Sequence, residues 1–181
     1  MTPQQATLRL VFDTTSLSHF ARADRLDVLG DLLVGAECCV RDVVGDELRQ
    51  GSALYPALAT VLDVEWLTIV ALDTPDRLMR FATWTTRVGA GTRDRGEASV
   101  LAVAEELGAV ALIDERDATR VGRASGVDVH GTVWLLTRSC HEGKLTEVAA
   151  GNLVDSLAAS GMRLPCTGSE FPRFAREHGL L

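Results

Sequence analysis

Leu8-Arg9-Leu10-Val11-Phe12-Asp13-Thr14-Thr15-Ser16-Leu17 is an apolar run that stops on a carboxylate and passes into three hydroxyl residues. So short a run, with β-branched and aromatic residues, reads as a strand buried on both faces, as in a parallel sheet covered by helices. Asp13 falls at the C-terminal end of that strand, the edge where open α/β sheets place their ligand crevices. Thr14, Thr15 and Ser16 each suit the cap of a following helix. An aspartate in this place is either a ligand for something or a helix cap with no further role. Other acids arriving at the same edge decide between the two.

A second apolar run, Ala109-Val110-Ala111-Leu112-Ile113, also ends on acid, in Asp114-Glu115-Arg116-Asp117. Before it, Arg95 to Gly108 is the clearest helix: Val100, Leu101, Ala104 and Leu107 keep the spacing of a buried face, and Glu97 lies one turn before Leu101 on the same side. The helix dipole favours a glutamate in the first turn, but it does not explain why that glutamate follows the apolar stripe toward the sheet.

Working outward, Glu37 to Val40, Val64 to Val70 and Val127 to His130 read as further strands, with Met162 to Leu164 as an added edge strand. Ser16 to Ala21, Leu26 to Leu33 and Val43 to Gln50 read as helices, the last capped by Asp42 and stopped by Gly51. Tyr55 to Leu62 is a weaker helical patch. Thr74-Pro75-Asp76 opens a helix that runs through Leu78, Phe81, Ala82 and Trp84 and ends before Gly89. Ala118 to Ala124, the segment opened by Gly131-Thr132 and stopped by Gly143, Thr146 to Ser160, and a short stretch within Ser169 to Leu181 complete the helices. The alternation predicts a three-layer α/β/α fold on a mainly parallel central sheet.

The chain's 181 residues suit a single domain, and 46% hydrophobic with 24% charged residues is the balance of an ordinary globular protein. No apolar run approaches the ~20 residues of a membrane span. Met1-Thr2-Pro3-Gln4-Gln5 has no basic region before an apolar core, so no membrane partner and a cytoplasmic location are the expectations. Cys38, Cys39, Cys140 and Cys166 show no CxxC spacing and read as packing residues; His19, His130, His141 and His178 are scattered and form no ligand pair. A formal charge of −7 argues against broad nonspecific nucleic-acid binding. It does not exclude a nucleic-acid enzyme, because acids that converge on a divalent cation account for part of that charge.

Four of these segments carry a resemblance. Val11-Phe12-Asp13-Thr14-Thr15, Asp46-Glu47-Leu48, Gly96-Glu97-Ala98 and Leu112-Ile113-Asp114-Glu115 resemble the acidic stations of PIN-domain nucleases in order and spacing. Asp128-Val129-His130-Gly131-Thr132-Val133-Trp134-Leu135-Leu136 is similar to one branch of that family, in which a Val-x-Gly-Thr segment leads into a helix and a further tail. The likeness extends from Val11 to Leu164. It implies a single PIN-like domain over 1–181, with 165–181 as a C-terminal tail helix, and a metal-dependent endoribonuclease of the VapC toxin type. The resemblance places Asp13, Glu47, Glu97 and Asp114 as the catalytic acids. Asp13, Glu97 and Asp114 would bind Mg²⁺ or Mn²⁺, Glu47 would close the site, and Thr15 would support it. Glu115 and Asp117 remain alternatives to Asp114 as the fourth acid. Glu97 is one methylene longer than the Asp common in the toxin branch, and Ile113 stands where those toxins often carry Thr. The implied partners are an RNA substrate, an antitoxin protein and a second copy in a homodimer. Leu26 to Leu33 and Tyr55 to Leu62 read either as the groove for an antitoxin helix or as core, the first of them foremost as core.

The chemistry has its own logic. Phosphodiester cleavage needs positive charge against the phosphoryl oxygens and an activated water, and carboxylates around Mg²⁺ or Mn²⁺ supply both. Arg41, Arg49, Arg93, Arg95, Arg116 and Arg120 flank the acidic stations, and Arg95 and Arg116 are the foremost candidates to hold RNA. Two other readings stay open. One is a phosphohydrolase with Asp13 as nucleophile, although Thr15 stands where a second Asp would be needed. The other is a catalytically silent PIN-like module that binds a partner.

Overall fold

Strands β1 (Leu8–Phe12), β2 (Ala36–Arg41), β3 (Leu67–Val70), β4 (Val110–Leu112) and β5 (Val129–His130) form one parallel sheet in the order β3-β2-β1-β4-β5. The structure is a computed structural model that describes residues 7–89, 91 and 94–181, with 43–47 and 94 described by their backbone alone. The apolar runs are continuous because successive side chains enter different cores. Leu10 and Phe12 of β1 pack with Phe20, Leu29, Leu136, Val154 and Phe171 on one face. Val11 between them packs with Trp84, Leu101, Val103 and Ile113 on the other.

The first face carries α1 (Thr14–Arg22), α2 (Leu26–Leu32), α7 (Thr132–His141), α8 (Glu147–Ala159) and α9 (Phe171–Glu177). It also takes Leu48 of α3 (Asp42–Ser52) and Leu58 and Val61 of a 3-10 helix, Pro56–Asp63. The second face carries α4 (Pro75–Val88), α5 (Asp94–Leu107) and α6 (Arg116–Ala124). This is the three-layer α/β/α architecture expected.

The chain reverses its progress across the sheet at β1. The crossovers from β1 to β2 and from β2 to β3 lie on the first face, whereas those from β3 to β4 and from β4 to β5 lie on the second. Neighbouring strands β1 and β4, in register at Phe12 and Leu112, therefore flank a topological switch point. Their connections diverge to opposite faces, and the C-terminal edge between them opens into a crevice. Asp13 and Asp114 follow those two strands.

Several local expectations are corrected. Asp13 itself caps α1, rather than Thr14, Thr15 or Ser16. Asp42 is the first residue of α3 and Arg41 holds the cap position. Residues 162–164 form no strand: Gly161 turns at φ 96°, the Met162 N–H returns to the Leu157 carbonyl at 3.1 Å, and the segment is spent on ending α8. In α4, Thr74 caps the start, Trp84 is fully buried, and Leu78 and Ala82 face outward. The contact of α4 with α5 is partly polar, through Arg77 with Glu106, Arg80 with Glu105, and the Trp84 indole donating to Glu105 at 3.1 Å. The expected 165–181 tail condenses to α9, which buries Phe171 and Ala175 against the first core. Among the described residues no helix is long and apolar enough to cross a membrane.

Candidate functional site

Asp13 sits where β1 turns into α1. Its N–H still extends the sheet, donating to the Leu112 carbonyl at 3.1 Å, while its Oδ2 accepts from the Thr15 N–H at 3.2 Å. The bland reading of this residue as a helix cap is thus correct as far as it goes. The carboxylate is nevertheless buried, and its Oδ1 faces α5: a Cβ placed on Gly96 would stand 3.8 Å from it. Glu97, the next residue, is 8% exposed, which accounts for its position on the apolar stripe. The start of α5, at Gly96 and Glu97, thereby lies beside the end of β1.

The third acid is Asp114. Among Asp114, Glu115 and Asp117 the geometry separates three jobs. Glu115 caps α6, its Oε2 accepting from the Ala118 N–H at 2.6 Å. Asp117 has an 80% exposed side chain and pairs with Arg120 at 3.4 Å. Asp114 alone turns toward β1: its Oδ2 accepts from the Ser16 hydroxyl at 3.0 Å and the Thr132 hydroxyl at 2.7 Å, and its Oδ1 accepts from the Thr132 N–H at 2.8 Å. Helix α7 has Gly131 at its cap position and no side-chain cap of its own, so Asp114 supplies one from across the chain. Gly131 is needed for contact rather than for backbone freedom, because a Cβ there would lie 2.6 Å from Asp114 Oδ1 at an ordinary φ of −106°.

Glu47 belongs to α3 by its backbone; its side chain, like all of Arg93, lies outside the described residues. Thr15 is exposed and reaches Asp13 through its N–H. Arg95 and Arg116 are exposed, as their proposed contact with RNA requires. Arg41, one of the arginines flanking the acidic stations, is buried, pairs with Asp42 at 3.0 Å and stacks over Phe81 at 5.1 Å. Ser16, Gly131 and Thr132 take part without having been singled out for it. Their signals were a hydroxyl three residues after Asp13, read as local structure, and a Gly-Thr opening a helix, read as a mark of one branch of the resembled family without a role in the site.

His19, one turn beyond Ser16, bonds Ser160 at 2.9 Å through Nδ1. Burial pushes its imidazole below its ordinary value, as does Arg22, while Asp114 pulls the other way. Cys38, Cys39 and Cys166 are buried free thiols, and burial raises Cys38 to about 12 and Cys39 to about 11.

Among the described residues, no three His, Cys, Asp or Glu side chains are grouped so as to share a metal ion. The donors that reach the crevice are carboxylate oxygens, the hard ligands that suit Mg²⁺ or Mn²⁺, and Mg²⁺ is commonly held by one or two carboxylates with waters and substrate phosphates completing its shell. The donor set fits such an ion in kind.

Residues 9–169 match the model of a family described as DUF3368, a PIN domain. The chain belongs to the PIN-domain family. PIN domains are generally nucleases and usually use divalent metals. No curated protein matches the chain. The match spans the sheet and ends just before α9.

Proposed function

We propose that this PIN domain is a metal-dependent endoribonuclease, the toxin of a toxin–antitoxin pair. The observation that carries the reading is the switch-point edge itself, where Asp13 is buried beside the start of α5 and Asp114 is held by hydroxyls of α1 and α7. Family membership supports the nuclease class. The finer assignments, to RNA, to a toxin, to an antitoxin partner and to a homodimer, rest on the resemblance of the sequence.

In this reading Asp13 and Asp114 hold Mg²⁺ or Mn²⁺, with Glu97 as a further ligand or as the group that orients the attacking water. When bound, the ion supplies positive charge against the phosphoryl oxygens. Glu47 closes the site as an outer ligand or as the base that takes the proton of the attacking water. Arg95 and Arg116, both exposed, hold the RNA phosphates. Asp13 and Asp114 enter already fixed by the N–H groups of α1 and α7, which limits the reorganisation needed before the chemistry.

The test is cleavage of a structured and an unstructured RNA with Mn²⁺, Mg²⁺ or EDTA, comparing wild type with Asp13→Asn and Asp114→Asn. Metal-dependent cutting lost in both variants supports the proposal; cutting that survives them refutes the site. A second reading is a catalytically silent PIN-like module that binds a partner. It predicts no cutting by wild type under any metal.

A further inference from the structure

Buried hydroxyls on helices usually bond back to their own helix. Among the described residues Ser99, Thr137 and Ser139 do so, donating to the carbonyls of Gly96, Trp134 and Leu135. Ser16 and Thr132 are as deeply buried, at 3% and 2% exposed, yet both donate away from their helices, to the same carboxylate oxygen, Asp114 Oδ2. They reach it from positions 98 and 18 residues distant in sequence.

We infer that Thr132 and Ser16 are positioning residues that set how Asp114 acts in the site. A carboxylate oxygen offers two lone pairs. Two hydroxyl protons occupy Oδ2, and the Thr132 N–H takes one position on Oδ1. One lone pair of Oδ1 remains, pressed against the Gly131 backbone on one side. Asp114 is therefore committed to a single-oxygen contact, and its orientation is set by the first turns of α1 and α7 rather than by its own rotamer preference. The C-terminal part of the chain, which contributes no acid to the site, is thereby fastened to it through Thr132.

The inference rests on the metal reading above, and its test separates the two. Mn²⁺ binding to the metal-stripped full chain is measured by calorimetry, without RNA, for wild type, Thr132→Val, Thr132→Ser, Ser16→Ala and Thr137→Val. Loss of a group that orients a metal ligand weakens metal binding by about 10- to 100-fold, and that loss is expected for Thr132→Val. Thr132→Ser keeps the hydroxyl and should bind within about threefold of wild type. Thr137→Val, which removes an equally buried hydroxyl of the same helix bonded to its own backbone, should leave binding unchanged. Because both hydroxyls serve one oxygen, the effects of Ser16→Ala and Thr132→Val should be non-additive when combined.

If Thr132→Val binds Mn²⁺ as wild type does, or Thr132→Ser loses as much as Thr132→Val, the inference is overturned and the nuclease reading stands. If Thr132→Val does not fold, Ser16→Ala against Thr137→Val decides the same question. A folded wild type that binds no Mn²⁺ overturns the metal reading and this inference with it.

Discussion

Removing an active-site acid commonly stabilises a protein, because the site holds like charges together for function. Asp114→Ala should do the reverse. Its carboxylate accepts three hydrogen bonds, at 2.7, 2.8 and 3.0 Å, and one of them caps α7. At about 1 kcal/mol net for each, their loss amounts to about 3 kcal/mol, since the Thr132 N–H and two buried hydroxyls are left to find other partners. For a chain of this size, that lowers the melting temperature by about 6–12 °C. The neighbouring acids provide the scale. Glu115→Ala removes only the cap of α6 and should cost about 1 kcal/mol. Asp117→Ala touches an exposed pair and should fall within about 0.5 kcal/mol of wild type. Asp114→Asn keeps an acceptor for the Thr132 N–H and should lie between Asp114→Ala and wild type. Thermal unfolding followed by circular dichroism in EDTA ranks the four variants without any metal contribution. If Asp114→Ala melts at or above wild type, repulsion from Asp13 and Glu97 outweighs the hydrogen bonds, and the account of Asp114 as a fixed capping group is wrong.

Gly131→Ala leaves the backbone unstrained but sets a methyl 2.6 Å from Asp114 Oδ1, so Mn²⁺ affinity should fall by about tenfold or more, measured by calorimetry. Gly151→Ala would ordinarily strengthen a helix by about 0.5–1 kcal/mol. Here the Cβ would lie 2.5 Å from the Gly168 carbonyl oxygen, where α8 meets the turn before α9, and urea unfolding should show a net loss of about 1–3 kcal/mol. Burial raises Cys38 to about 12 and Cys39 to about 11 from an ordinary 9.0. The stability this reflects is complete below pH 9.0 and is lost as the pH rises toward those values, because the unfolded thiols ionise first. A Cys38→Ala, Cys39→Ala double variant should show a flatter fall in urea midpoint over that range, and thiol labelling of the native wild type near pH 8 should be slow at both positions.

The strands were legible because β1 and β4 are buried on both faces, and unbroken apolar runs leave little else for Leu10–Phe12 and Val110–Leu112 to be. Their closing acids were legible for the same reason: a carboxylate after such a run has to leave the core at the strand's end. The choice among Asp114, Glu115 and Asp117 was not readable. It depends on α6 starting at Arg116, which turns Glu115 back as a cap and puts Asp117 in solvent. Ser16 was visible as a helix opener and Thr132 as part of the Gly-Thr segment, but nothing local reports that their hydroxyls meet on one oxygen from opposite parts of the chain. Arg41 misled in the other direction. Arginine near an acidic station suggested phosphate binding, but its position at the end of an interior strand buries it against Phe81.

The three acids share a feature that bears on how the chain tolerates them. Asp13 caps α1, Asp114 caps α7, and Glu97 lies in the first turn of α5. Each carboxylate therefore sits at the positive end of a helix dipole, where unsatisfied N–H groups favour negative charge. A switch point makes this arrangement geometrically natural, because connections diverge to both faces and helix starts are gathered along one sheet edge. The N–H groups at the starts of α1 and α7 hold Asp13 and Asp114 in place before any cation arrives. This predicts a site that stays folded after metal is stripped, at a stability set by the caps. Metal then adds to it in proportion to the logarithm of its concentration above the dissociation constant. A chain that unfolded on chelation would show instead that the cation, rather than the helix starts, keeps Asp13 and Asp114 in place.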